Sequence, residues 1–68
     1  PAYPGKSLRK GSQGDDVKLV QEQVGAYVDG DFGPKTEKSV KAWQKKNTDC
    51  CGPSDGIVGP RTWKCMFG

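Results

Sequence analysis

The sequence predicts a small all-α domain built on three helices, and three observations carry that prediction. First, the octet Asp29-Gly30-Asp31-Phe32-Gly33-Pro34-Lys35-Thr36 returns as Asp55-Gly56-Ile57-Val58-Gly59-Pro60-Arg61-Thr62, so both copies read D-G-x-[apolar]-G-P-[basic]-T. Second, each copy runs from a turn into a helix. Asp-Gly favours a turn because glycine reaches positive φ at little cost. Gly-Pro opens a helix with proline in the first position, where its missing N–H costs nothing. Third, apolar residues recur at helical spacing in the segments that flank these turns.

The elements follow in order. Residues 1–6 hold two prolines and a glycine and read as an extended linker with no core of its own, leaving residues 7–68 as the domain. Pro1 is no natural start, so the chain is expected to be a mature or excised piece, tethered to something upstream. After Leu8 and a Gly/Ser loop, a first helix is expected over residues 15–23. Asp15 and Asp16 stand at its N-terminus, where carboxylates favour the helix dipole; Val17, Val20 and Val24 share one face, and Gly25 ends it. A second helix is expected over residues 34–46, with Thr36, Val40 and Trp43 inward, Lys38, Lys41 and Lys45 outward, a Glu37–Lys41 pair, and Asn47 as the stop. Residues 48–54 read as a loop. A short third helix over residues 60–66 turns Trp63 and Met66 inward, with Phe67 beside them.

A second echo joins the first two helices. Val17-Lys18-Leu19-Val20-Gln21 matches Val40-Lys41-Ala42-Trp43-Gln44 as V-K-x-[apolar]-Q. Gln21 falls within an apolar stripe and Gln44 at the border of one. A buried amide must be hydrogen-bonded, and the nearest unpaired backbone is in the Asp-Gly turns, so each glutamine is expected to pin a repeat loop to a helix.

Sixty-eight residues with 32% hydrophobic content can bury only a modest core, and such a domain is marginal unless stapled. Three cysteines, Cys50, Cys51 and Cys65, point to one disulfide and one spare thiol. Cys65 with either neighbour closes a loop worth about 3 kcal/mol in the chain-entropy model, and Cys51 is the expected partner because Gly52 beside it can bend the chain. A disulfide fits an extracellular setting.

Several chemistries lack their parts. There is no histidine, so the commonest general base and metal ligand is missing, and three cysteines without it do not make a four-ligand zinc site. Asp15/Asp16 and Asp29/Asp31 read as a helix start and a turn, not as a glycosidase pair. No phosphate-binding glycine loop has the right spacing. No catalytic residue, metal or cofactor is therefore expected. A net charge of +3 is mild: it favours an anionic polymer and argues little for nucleic acid. No apolar run approaches the ~20 residues that cross a membrane.

Together these blocks resemble the peptidoglycan-binding domains appended to bacterial and phage cell-wall hydrolases. The resemblance rests on Leu8, Gly11, Gly14, Val17 and Gln21; on Asp29, Gly30, Phe32, Gly33, Thr36, Val40 and Gln44; and on Asp55 through Pro60 with Thr62 and Trp63. It covers the chain from Leu8 to about Phe67. The departures, Val20, Val24, Ser39 and Trp43, keep an apolar core, and the Cys50-Cys51-Gly52-Pro53-Ser54 loop has no fixed role in the pattern.

The resemblance implies a non-catalytic module, monomeric and located at the cell wall, that holds a covalently linked lytic enzyme, such as an endolysin or amidase, on peptidoglycan. Aromatic rings can stack on sugars and a few polar groups can read the peptide. The candidate contacts near the repeated loops are Tyr27, Asp29, Asp31, Phe32, Arg61 and Trp63. For Phe32 and Trp63 a place in the core competes with contact, and for Asp29 and Asp55 a role as loop caps. Two rival functions belong to other classes. One is a protein-binding adaptor. The other is a metalloproteinase-type inhibitory pro-segment, for which Cys51-Gly52-Pro53-Ser54-Asp55 is a loose and internally placed match to a cysteine switch.

Overall fold

The computed structural model describes all residues from Pro1 to Gly68. Four helices follow one another: α1 (Asp15–Val24), α2 (Pro34–Lys46), α3 (Thr48–Cys51) and α4 (Pro60–Phe67). The three principal helices match the expected ones to within a residue. Proline occupies the first turn of both α2 and α4, and Gly25 closes α1 in the left-handed conformation. The added element is α3. The segment expected as a loop makes one helical turn, with Cys51 N–H bonded to the Asn47 carbonyl and Gly52 N–H to that of Thr48.

The core gathers Leu8, Val17, Val20, Phe32, Val40, Val58, Trp63 and Met66. No strand forms, but the segment before α1 pairs with both repeat loops through isolated antiparallel bridges. Leu8 exchanges two backbone hydrogen bonds with Val58, at 3.0 and 2.8 Å, and Gln13 bridges Asp31. Phe32 donates to Ser12 and accepts from Gly11. One apolar residue per loop, Phe32 or Val58, is thereby driven into the core.

The glutamines do what the repeat implies. Gln21 is fully buried. Its Oε1 accepts the N–H groups of Asp29 (3.0 Å) and Gly30 (2.9 Å), and its Nε2 donates to Asp29 Oδ1 (2.9 Å), the Asp31 carbonyl (3.1 Å) and Thr36 Oγ1 (3.0 Å). Gln44 repeats the pattern with Gly56 N–H, Asp55 Oδ1, the Ile57 carbonyl and Thr62 Oγ1. Each turn passes close to the helix that pins it, and this is where glycine is required. Gly56 has φ +76, and a Cβ there would meet Glu37 Cγ at 2.9 Å and Lys41 Cε at 3.0 Å. Gln44 therefore belongs to the inward stripe of α2, while Trp43, expected inward, is only half-buried. Glu37 and Lys41 lie with their stems over Gly56 and form no ion pair; the one ion pair is the exposed Lys18–Asp15 contact, which contributes little.

Residues 1–6 touch the domain at their start, and one further expectation, the disulfide pairing, is corrected. Tyr3 packs edge-on against Trp63 at 6.2 Å between ring centroids, and Trp63 Nε1 donates to the Pro1 carbonyl at 3.0 Å. An apolar indole face left open by the short α4 attracts the ring, and the indole N–H needs an acceptor. The disulfide joins Cys50 to Cys65, not Cys51 to Cys65. The reason is the helical turn. Consecutive residues on a helix point about 100° apart, so only one of the pair can bring its sulfur into bonding distance of Cys65. Cys50 does so, with its Cα 5.7 Å from that of Cys65, and Cys51 turns into the interior as a free, buried thiol. Burial pushes that thiol up, against the opposing pull of the Thr62 hydroxyl and the Arg61 charge.

Three outcomes are expected. Gln21→Leu orphans two backbone N–H groups and Gln44→Leu one, at about 1–3 kcal/mol each. Thermal melts should thus fall for both and further for Gln21→Leu, by ~4–8 °C per kcal/mol in a domain of this size. Equal melts for the two variants would contradict this account. Non-reducing peptide mapping should find the Cys50–Cys65 link, with Cys51 alkylated only after denaturation. Acid should also act through Asp29, whose carboxyl is held below the usual range first by the Asp31 N–H and then by the Gln21 amide. Its contribution is present above the unfolded-state pKa and is lost as pH falls through the lower folded one. Asp29→Asn should shrink the loss of melting temperature between about pH 5 and about pH 2.

Candidate functional site

The two copies of the octet build two grooves whose linings correspond through the repeat. The first lies between the end of α1 and the start of α2. It has a volume of about 630 Å³ and is lined by residues 25–27, Asp29, Asp31, residues 33–36 and Ser39. The second, about 300 Å³, lies between α3 and the start of α4. Asp29 of the first corresponds to Asp55 of the second, Asp31 to Ile57, Gly33 to Gly59, Pro34 to Pro60, Lys35 to Arg61 and Thr36 to Thr62.

The grooves differ in what fills them. Arg61 folds back over the second: its Nε donates to the Cys50 carbonyl at 2.9 Å, and its guanidinium covers Gly52 so closely that a Cβ there would meet Nη1 at 3.0 Å. The Cys50–Cys65 bond then ties α3 to α4 at the same end. In the first groove Lys35 makes no such return contact. Ser39, standing in the repeat register where Cys65 stands, has no cross-link and lines the groove instead. The first groove is the larger of the two, and the second carries the Arg61 side chain folded across its own lining.

The residues expected to touch a ligand separate into three groups. Tyr27, Asp29 and Asp31 come together on the first groove. Tyr27 is 83% exposed, a large ring with no packing partner. Asp29 is engaged by Gln21 and the Asp31 N–H, which keeps it ionised at neutral pH and unable to donate a proton. The Asp31 carboxylate is exposed and makes no hydrogen bond. Arg61 lies on the second groove, away from the other three. Phe32 and Trp63 are core residues, 1% and 3% exposed, and present no face to a ligand. Lys35, Thr36 and Ser39 also line the first groove but were not among the expected contacts. The repeat itself carried the signal for Lys35, because it stands opposite Arg61 in the duplicated octet.

The first groove thus sets one free aromatic ring beside two carboxylates, an ammonium and hydroxyls. Mixed polar groups next to a ring suit a neutral or zwitterionic polymer with apolar faces more than a strongly charged one. The three cysteine sulfurs lie within 4.8 Å of one another near the second groove; no histidine or carboxylate joins them.

Residues 13–66 match the model of the family described as "Putative peptidoglycan binding domain". Among relatives, the chain is 42% identical over 64 residues to an uncharacterized protein encoded in the bpoA1 3' region of Kitasatospora aureofaciens, covering 82% of this chain and 51% of that one. It is 32% identical over 69 residues to the zinc D-Ala-D-Ala carboxypeptidase of Streptomyces albus G, covering 90% of this chain and 26% of the relative. The chain thus spans about half the length of the first relative and about a quarter of the second. Among solved structures, the SleB N-terminal domain superposes with a TM-score of 0.85 at 27% identity over 96% of this chain and 93% of that one. The Burkholderia AP3 phage endolysin superposes with a TM-score of 0.78 at 33% identity, over 93% of this chain and 25% of the endolysin. Sequence blocks, all-helical fold and these likenesses converge: the chain belongs to the peptidoglycan-binding domain family.

Proposed function

We propose that this domain is a non-catalytic wall-binding module that holds a linked lytic enzyme on peptidoglycan, outside the cell. The observation that supports it most is the family match running from residue 13 to 66, nearly the whole domain. The carboxypeptidase and endolysin relatives are each several times longer than the stretch they share with this chain, which is the arrangement of a binding module joined to a catalytic one. The mechanism is effective concentration. A modest contact to an insoluble polymer keeps the linked active site near its substrate and turns each encounter into an intramolecular one.

The contact face in this reading is the first groove. The Tyr27 ring lies on a sugar, while Asp29, Asp31 and Lys35 meet amide, amine or carboxylate groups of the stem peptide. Arg61 stands outside this face, engaged with the Cys50 carbonyl.

Co-sedimentation with purified sacculi tests the reading. The domain should pellet with the wall and release no soluble fragments from it. Tyr27→Ala and Asp31→Ala should each weaken binding by about 2–10-fold while leaving the melting temperature in place, since neither side chain packs in the fold. Arg61→Ala is the discriminating control. Unchanged sedimentation with a lowered melt supports the first groove as the contact face; a loss of sedimentation as large as that of Tyr27→Ala moves the contact to the second groove. A domain that stays in the supernatant with every wall type sinks the proposal.

A further inference from the structure

We propose that, once its disulfide is reduced, the Cys50–Cys51–Cys65 cluster is a three-thiolate site for a soft monovalent metal ion, Cu(I). The three sulfurs lie within 4.8 Å of one another. The disulfide holds two of them, Cys50 and Cys65, together, and Cys51, the free thiol next in sequence, comes within the same span where α4 crosses beside α3. Sulfurs bound to one metal at about 2.3 Å sit roughly 4 Å apart, so the bonded pair must part on reduction, whereas Cys51 already lies within 4.8 Å of both.

The donor set selects the ion. The cluster has no carboxylate, and the chain has no histidine. Three sulfurs with no nitrogen or oxygen ligand leave Zn(II) one short of the four it takes in structural sites, whereas thiolates alone suit Cu(I). The surroundings suit it as well. The Arg61 guanidinium lies over Gly52, next to Cys51, and places one positive charge beside a site whose three thiolates outweigh the charge of the ion. Cys51 is buried while Cys50 is exposed and Cys65 half-buried, so the site has a dry floor and an open entrance.

The chemistry balances in two steps. A phosphine or dithiol reductant gives two electrons to the Cys50–Cys65 bond, which takes up two protons and becomes two thiols. Three thiols then bind one Cu(I) and release three protons, so affinity rises with pH. The staple and the metal exclude each other, because the disulfide consumes two of the three donors.

The test uses the whole 68-residue chain, anaerobically, with Cu(I) titrated against a chromophoric chelator. The phosphine-reduced chain should take up one Cu(I), and the oxidised chain should take up none under the same competition. Reduced Cys51→Ala should bind more weakly by more than the roughly 10–100-fold that loss of a supporting outer-shell partner costs. In its oxidised form that variant keeps the Cys50–Cys65 staple, so its circular dichroism reports folding separately. If it does not fold, reduced Cys65→Ser, altered at a half-buried position, must show the same loss. Equal affinity in the oxidised and reduced chains, unchanged affinity in Cys51→Ala or Cys65→Ser, or a stoichiometry other than one overturns the site.

Discussion

Two buried side-chain amides hold this domain together. A glutamine amide carries both a donor and an acceptor, so one side chain can satisfy turn N–H groups and turn carbonyls at once. Gln21 does this from α1 for the loop that leads into α2, and Gln44 from α2 for the loop that leads into α4. A domain this small cannot cover its turns with bulk. It needs a polar group inside to terminate the backbone, and the threonine at the third helical position, Thr36 or Thr62, completes the network by accepting from the same amide. No buried side-chain polar atom is left without a partner.

From this constraint the rest follows. Pinning the turn fixes where Gly33-Pro34 and Gly59-Pro60 start their helices. It also fixes which side of the loop faces inward, and so sends Phe32 and Val58 to the core. The same pin leaves the outer side of each loop facing water, where the grooves lie. Core and candidate contact surface are thus opposite sides of one eight-residue turn, used twice. The side chains that the pins touch, Asp29 and Thr36 against Asp55 and Thr62, are the same in both copies, whereas Asp31 against Ile57, met only through its carbonyl, Phe32 against Val58 and Lys35 against Arg61 diverge.

Much of this was legible in the sequence because repeats and turn chemistry are local. The helix starts at Pro34 and Pro60 and the stop at Gly25 need only neighbours a few residues away. Gln21 could be assigned its partners because a polar residue on an apolar stripe has few places to go. What was not legible depends on how α3 and α4 meet. Whether Cys50 or Cys51 faces Cys65 turns on one helical rotation in a four-residue element too short to show periodicity. The position of Tyr3 depends on an indole from the far end of the chain. For the site, clustering of Tyr27, Asp29 and Asp31 was visible from their spacing. The withdrawal of Arg61 onto the Cys50 carbonyl was not, since that carbonyl belongs to a turn the sequence did not announce.

The bridge between Leu8 and Val58 has a kinetic meaning of its own. The glutamine pins join residues close in sequence, whereas this bridge joins the beginning of the domain to its last loop, and loop-closure entropy disfavours such contacts until the intervening chain is ordered. The segment before α1 should then dock late in folding and lift first in the native ensemble, carrying Leu8 out of the core while both pinned turns persist. The hinge of such an opening lies in Gly11-Ser12-Gln13-Gly14, which stays bonded to Gly30 and Phe32 of the first loop. The last loop loses one neighbour, Leu8, while the first keeps both its pairing and its amide anchor, so the groove beside Tyr27 keeps its shape even when the domain is partly undone.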